Sequence, residues 1–131
     1  MVGDLFHFGH VEFLRQARAL GDHLTVGLAT GRRAASFKRL PVLSYEERKT
    51  VILACRYVDE VVPIDQNITD DFMRAGNFSL RAYGVASEAE NQRYLEMLFA
   101  GMSPDYMRRI PYTAGISTSE IIKRIRDRED L

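Results

Sequence analysis

The sequence predicts an α/β domain: a doubly wound parallel sheet with helices on both faces. Two observations carry that prediction. Short runs rich in β-branched residues alternate with stretches of helical periodicity along the whole chain, which is the order of successive βαβ units. The chain has 131 residues, 46% hydrophobic and 27% charged, enough to bury one core and far from disordered or membrane-spanning compositions. One domain over residues 1–131 is expected.

Each element has a local reason. "GHVEFLRQARAL" (Gly9 to Leu20) spaces Val11, Leu14 and Arg18 on one stripe and Phe13, Ala17 and Leu20 on the next, and Gly21 suits the end of such a helix. "HLTVGLA" (His23 to Ala29) reads as a buried strand. "SYEERKTVILACR" (Ser44 to Arg56) reads as a helix with Ser44 at its cap and Glu47 three residues on, a capping box. Between them, Thr30 to Ser44 is the longest irregular stretch, carrying Arg32, Arg33, Lys38 and Arg39 straight after a strand. "VDEVVPI" follows as a strand halted by Pro63, "TDDFMRA" as a helix capped by Thr69, and "LRAYGVA" (Leu80 to Ala86) as another strand. A helix from Ser87 to about Ala100, an extended "YMRRIPYT" and a terminal helix near "STSEIIKRI" complete the series. Such a Rossmann-like arrangement collects ligands beyond the carboxyl ends of its strands. Only Met1 to Gly3 are available for a strand before the first helix, so a longer chain beginning further upstream is expected.

Composition narrows the function. Eighteen Lys and Arg offset eighteen Asp and Glu, which leaves no global field for nucleic acid or an anionic membrane, so any anion site is local. Cys55, the one cysteine, excludes an intrachain disulfide and a multi-cysteine metal site, and a reducing cytoplasm is the expected compartment. No apolar run approaches the length of a membrane span.

"GDLFHFGH" (Gly3 to His10) is the stretch that carries chemistry. His7 and His10, three positions apart at a helix mouth, can point the same way, and Gly9 removes the side chain that would keep a phosphate from the backbone. An anion is then expected between the imidazoles. Plain packing of one histidine competes with this, and since His23 is the only other histidine, a zinc site would have to recruit Asp4 or another carboxylate. At the far end, Ser117, Thr118 and Ser119 open a helix where amides, hydroxyls and the positive dipole end converge.

The order Asp4, His7, Gly9, His10, then "FKR" (Phe37 to Arg39), "EERK" (Glu46 to Lys49), "RYVDEVV" (Arg56 to Val62) and "GISTSEIIKRI" (Gly115 to Ile125) resembles the cytidylyltransferase family. The likeness is to members of the glycerol-phosphate, phosphocholine and phosphoethanolamine type, in a superfamily of nucleotidyltransferases with an HxGH motif. It implies transfer of CMP from CTP to a small phosphate or phosphonate acceptor, with pyrophosphate released. By the same resemblance His7, His10 and Lys38 are catalytic. Asp4, Gly9, Arg48, Arg56, Gly115, Ile116, Ser117, Thr118 and Ser119 bind the nucleotide. Mg²⁺ is carried mainly on the nucleotide phosphates rather than in a protein metal site, and "RYVDEVV" lies at a homodimer interface.

Two departures bear on the acceptor. The family usually has Arg-Thr-Glu-Gly before the Ser/Thr motif, where this chain has Tyr112, Thr113, Ala114 and Gly115, with Arg108 or Arg109 as the nearest substitute charge. After the Leu80 to Ala86 strand, Ser87 and Glu88 stand where a His-Gly-Asp-Asp type run is usual. Two alternatives remain: adenylyl transfer from ATP, and a non-catalytic nucleotide-binding domain of a larger enzyme.

Overall fold

The apolar run after His23 forms β1 (Thr25–Ala29) in the computed structural model, which describes residues 1–131, and Val26 and Leu28 point it into the core. β1 pairs in parallel with β2 (Glu60–Ile64), from Thr25 opposite Glu60 to Ala29 opposite Ile64. Pro63 does not halt β2. Thr30 N–H donates to Ile64 O, so Ile64 and Val62 face β1 and the donor-less nitrogen of Pro63 faces the unpaired edge, where it costs no ladder bond. On β1's other side the Met1 amine donates to Gly27 O and Ala29 N–H to Met1 O, a one-residue parallel pairing.

Helices α1 (Phe8–Arg18) and α3 (Tyr45–Leu53) bury their apolar stripes on this pair of strands. Leu14, Val26, Leu28 and Ile52 form the core, with Phe6, Phe13, Tyr45 and Val58 packed around it. Each fully buried aliphatic side chain is worth about 1.5–3 kcal/mol. Gly3, at φ +65°, lies so close that a Cβ there would be 2.7 Å from Ile52 Cδ1. Part of the expected irregular stretch is instead a short helix, α2 (Gly31–Phe37), because Thr30 caps it by accepting from Arg33 N–H and Ala34 is buried. This first compact unit holds Met1–Asp65 and Thr113–Leu131, including the terminal helix α6 (Thr118–Arg126).

The second compact unit is Gln66–Tyr112. Thr69 caps α4 (Asp70–Ala75) and Ser87 caps α5 (Glu88–Met97), as their positions before acidic first turns suggest. β3 (Arg81–Tyr83) pairs in parallel with β4 (Met107–Arg109), which follows a 3-10 turn at Pro104–Tyr106. Val85, Tyr94 and Phe99 make its core, where burial pushes the Tyr94 phenol up to about 12. The strands are parallel throughout, as α/β alternation requires, but their ladders form two two-stranded sheets, one in each unit.

Candidate active site

Leu5 turns the chain into the site with a left-handed backbone, φ 48°, a conformation that costs a non-glycine residue about 1–2 kcal/mol. The turn delivers His7 to the N-cap of α1. There the two histidines cap the helix reciprocally: Gly9 N–H donates to His7 Nδ1 at 3.1 Å, and His7 N–H donates to His10 Nδ1 at 3.1 Å. Sequence spacing alone gives no sign of this.

The consequence is chemical. An Nδ1 that accepts a hydrogen bond carries no proton, so the hydrogen-bond network assigns both rings as the neutral Nε2–H tautomer, each with one donor left. Their centroids are 3.9 Å apart, and Phe6 stacks on His10 at 5.3 Å. Rings that close leave no room for an anion between them, which corrects the sequence expectation; an anion would meet the Nε2 edges instead. Burial first, then the positive charges of His7, the N-terminus and Lys38, lower His10 to about 3, and burial lowers His7 as well. Both rings are therefore neutral donors at ordinary pH.

The hydroxyl-rich turn reaches the same place. Ile116 is 7% exposed and packs so tightly on α1 that a Cβ on Gly9 would lie 3.0 Å from its Cγ2. Thr118 Oγ1 donates to Asp4 O at 2.8 Å, Ser117 Oγ caps α6 by accepting from Glu120 N–H, and Gly115 O accepts from Arg124 Nη2. Of the three hydroxyls, two are thus committed to structure. Ser119 Oγ lies 3.5 Å from Arg39 Nη1.

Asp4 and Arg48, expected on the nucleotide, are inside the protein at 3% and 1% exposure. The Asp4 carboxylate accepts from Val42 N–H at 2.8 Å and Leu43 N–H at 3.0 Å, which fastens one end of the segment that carries Lys38. Arg48 Nη1 donates to Val2 O and Ala29 O, both at 2.8 Å, and its Nε to Leu43 O at 3.1 Å. One guanidinium so ties the N-terminal arm, the end of β1 and the start of α3. The family resemblance put this arginine on the nucleotide, and weak helical periodicity around it gave no sign of its burial.

Lys38 is the C-cap residue of α2, exposed, and near enough to His10 for its charge to depress that imidazole. Arg56 is exposed, with its guanidinium 5.8 Å from the Tyr57 ring, in a groove shared with Phe6, Val11, Val51, Ala54 and Cys55. It makes no hydrogen bond to the turn or the basic segment. In the second unit Arg109 Nη1 donates to Glu88, which joins two residues singled out by the sequence departures, and Arg108 is exposed.

Parallel strands flanked by helices, with two neutral imidazoles, a basic segment and a hydroxyl-rich helix start gathered in one unit, define an α/β domain equipped to hold anions. The chain belongs to the Cytidylyltransferase-like family, which it matches over residues 4–124. It is 37% identical over 126 residues to a probable ethanolamine-phosphate cytidylyltransferase of Encephalitozoon cuniculi (strain GB-M1), covering 93% of this chain and 38% of the relative. The ethanolamine-phosphate cytidylyltransferase of Arabidopsis thaliana is 38% identical (93% of this chain, 30% of the relative), and human choline-phosphate cytidylyltransferase A 35% identical (93% and 34%). The chain thus spans about a third of the length of these curated relatives. The fold is shared with a lipopolysaccharide core biosynthesis protein from Thermoplasma volcanium GSS1, at TM-score 0.65 and 22% identity, covering 86% of this chain and 93% of that one. No helix is long and apolar enough to cross a membrane.

Proposed function

We propose that this domain transfers CMP from CTP to a small phosphate or phosphonate monoester. An acceptor phosphate oxygen bonds to the α-phosphorus, the bond from that phosphorus to the bridging oxygen breaks, and pyrophosphate leaves with the electron pair. No protein nucleophile is needed; positioning and stabilisation of charge suffice. His7 and His10 supply that stabilisation through their Nε2–H donors, each worth about 2.7–4 kcal/mol by analogy with other preorganised donors. Lys38 and the start of α6 hold the remaining phosphates, and Asp4 and Arg48 act as positioning residues through the backbone they fasten.

Mg²⁺ enters this scheme as an ion carried mainly by nucleotide phosphates, which needs few protein ligands. It would offset phosphate charge when bound. A homodimer across the apolar groove beside Arg56, a cytoplasmic setting, and membership of a longer protein complete the proposal.

The reciprocal capping of His7 and His10 carries this reading, because it fixes two neutral donors at one helix mouth. The names of the relatives make ethanolamine phosphate and choline phosphate the first acceptors to try. The test is pyrophosphate release with each nucleoside triphosphate and Mg²⁺ against a panel of phosphate and phosphonate monoesters. CTP-dependent release is expected. An ATP preference would replace the cytidylyl assignment by an adenylyl one, and tight CTP binding with no release from any acceptor would leave a nucleotide-binding domain without activity.

A further inference from the structure

The cap bond leaves one thing about His10 undecided. His7 N–H donates to its Nδ1 at 3.1 Å, which holds that nitrogen but not the plane of the ring, since the terminal torsion of a histidine is broad and the ring can swing about one held atom. The Nε2–H direction turns with the plane, and a donor serves a reacting phosphate only when it is aimed. A flat neighbour is present. Phe6 lies parallel to His10, with planes within 10° and centroids 5.3 Å apart, the offset stack that aromatic rings prefer, whereas the His7 ring is tilted by 34°.

Phe6 is itself held from behind. It follows the left-handed turn at Leu5, and its ring packs against the core of Leu14, Val26, Leu28 and Ile52. It stands one residue before the N-cap His7 and lines an apolar groove together with Val11, the fourth residue of α1, which are the two positions of a hydrophobic staple. A staple asks only for an apolar side chain, and leucine would serve. A parallel stack on an imidazole asks for a ring. We infer that Phe6 is a positioning residue for nucleotidyl transfer: its ring, backed by the core, sets the plane of His10 and so the direction of the Nε2–H donor. The inference rests on the nucleotidyl-transfer reading and adds to it a side chain that acts through His10 and not on the nucleotide. A ring stacked on His10 also keeps water from it, in keeping with burial as the first cause of its lowered proton affinity.

Phe6→Leu, Phe6→Tyr and Phe6→Ala test it, with kcat and KM from pyrophosphate release, nitrogen-15 NMR of the His10 ring across pH, and a melting curve for each. Phe6→Leu keeps the staple and is expected to lose about tenfold in kcat, part of the roughly hundredfold that a misplacement of about 1 Å can cost, with KM for CTP within about twofold of wild type. Phe6→Tyr restores the ring and keeps kcat within about threefold. Phe6→Ala uncovers the imidazole, so His10 takes up its proton at higher pH than in wild type and its Nε2 signal broadens. Should Phe6→Ala not fold, Phe6→Leu carries the NMR comparison through the broadened signal. A Phe6 kept for stability alone would lower the melting temperature while leaving kcat of the folded protein and the His10 signals unmoved, and that result overturns the inference. So does a loss in Phe6→Tyr equal to that in Phe6→Leu, or a rise in KM with kcat unchanged. NMR separates the two readings. If the His10 signals change with Phe6 in a protein that releases no pyrophosphate, the positioning stands and the transfer reading falls. If CTP is turned over at the wild-type rate in every variant, the reverse holds.

Discussion

Replacing Gly9 by Ala probes the site at its tightest point. Gly9 lies in the first turn of α1, so Ala would gain up to about 1 kcal/mol of helix propensity. Its Cβ, however, would stand 2.9 Å from His7 Cε1, 3.0 Å from His7 Nδ1 and 3.0 Å from Ile116 Cγ2. Carbon atoms rest at about 3.5–4.0 Å, so His7 or Ile116 must retreat by roughly 0.5–1 Å. The His7 ring is held by the N–H of Gly9 itself, and Ile116 anchors the hydroxyl-rich turn. Propensity gained and packing lost roughly offset, and the melting temperature should move by no more than about 4 °C. Catalysis has no such compensation. A displaced imidazole forfeits most of about 2.7–4 kcal/mol, which is a hundredfold to nearly a thousandfold in kcat. The assay is pyrophosphate release at saturating CTP and acceptor, with the melting curve measured alongside. Wild-type kcat in Gly9→Ala would refute the claim that the ring's seat against Gly9 sets the rate.

Other expectations follow from the same geometry. His10, lowered to about 3, should show no proton uptake by NMR between about pH 8 and 5, and observed titration near 6.5 would end the neutral-donor argument. Because the unfolded imidazole takes up its proton first as pH falls, His10 contributes stability that is whole above about pH 6.5 and lost progressively toward pH 3. Urea midpoints that fall equally for wild type and His10→Asn across that range would contradict this. Arg48→Met strands the carbonyls of Val2, Ala29 and Leu43 and should cost about 3 kcal/mol or more in denaturant unfolding, with a loss under about 1 kcal/mol disproving the brace. Asp4→Asn leaves one of the Val42 and Leu43 N–H groups facing an amide, so about 1–3 kcal/mol of stability should go and KM for CTP should rise. An unchanged KM would show that the segment needs no anchor.

What could be read in advance was local. Ser44 with Glu47, and Thr69, Ser87 and Ser117 before their helices, mark starts that the structure keeps, because a cap is settled within four residues. The short β1, β2, β3 and β4 also fall inside the runs expected for them, and Pro63 was misjudged only because the sequence does not say which edge a nitrogen faces. α2 was missed since its buried stripe amounts to Ala34 and the half-buried Phe37.

The sequence by itself determined that this is a parallel α/β chain with a pair of histidines at one helix mouth and three hydroxyls at another. Tertiary structure alone decided what those residues are. Burial in the folded unit, with the charge of Lys38 close by, keeps His10 neutral, while Asp4 meets Leu43 at a separation of 39 residues and Thr118 at 114, partnerships that no local pattern encodes. Charge state and burial depend on neighbours brought in from far along the chain, and periodicity reaches only one or two turns.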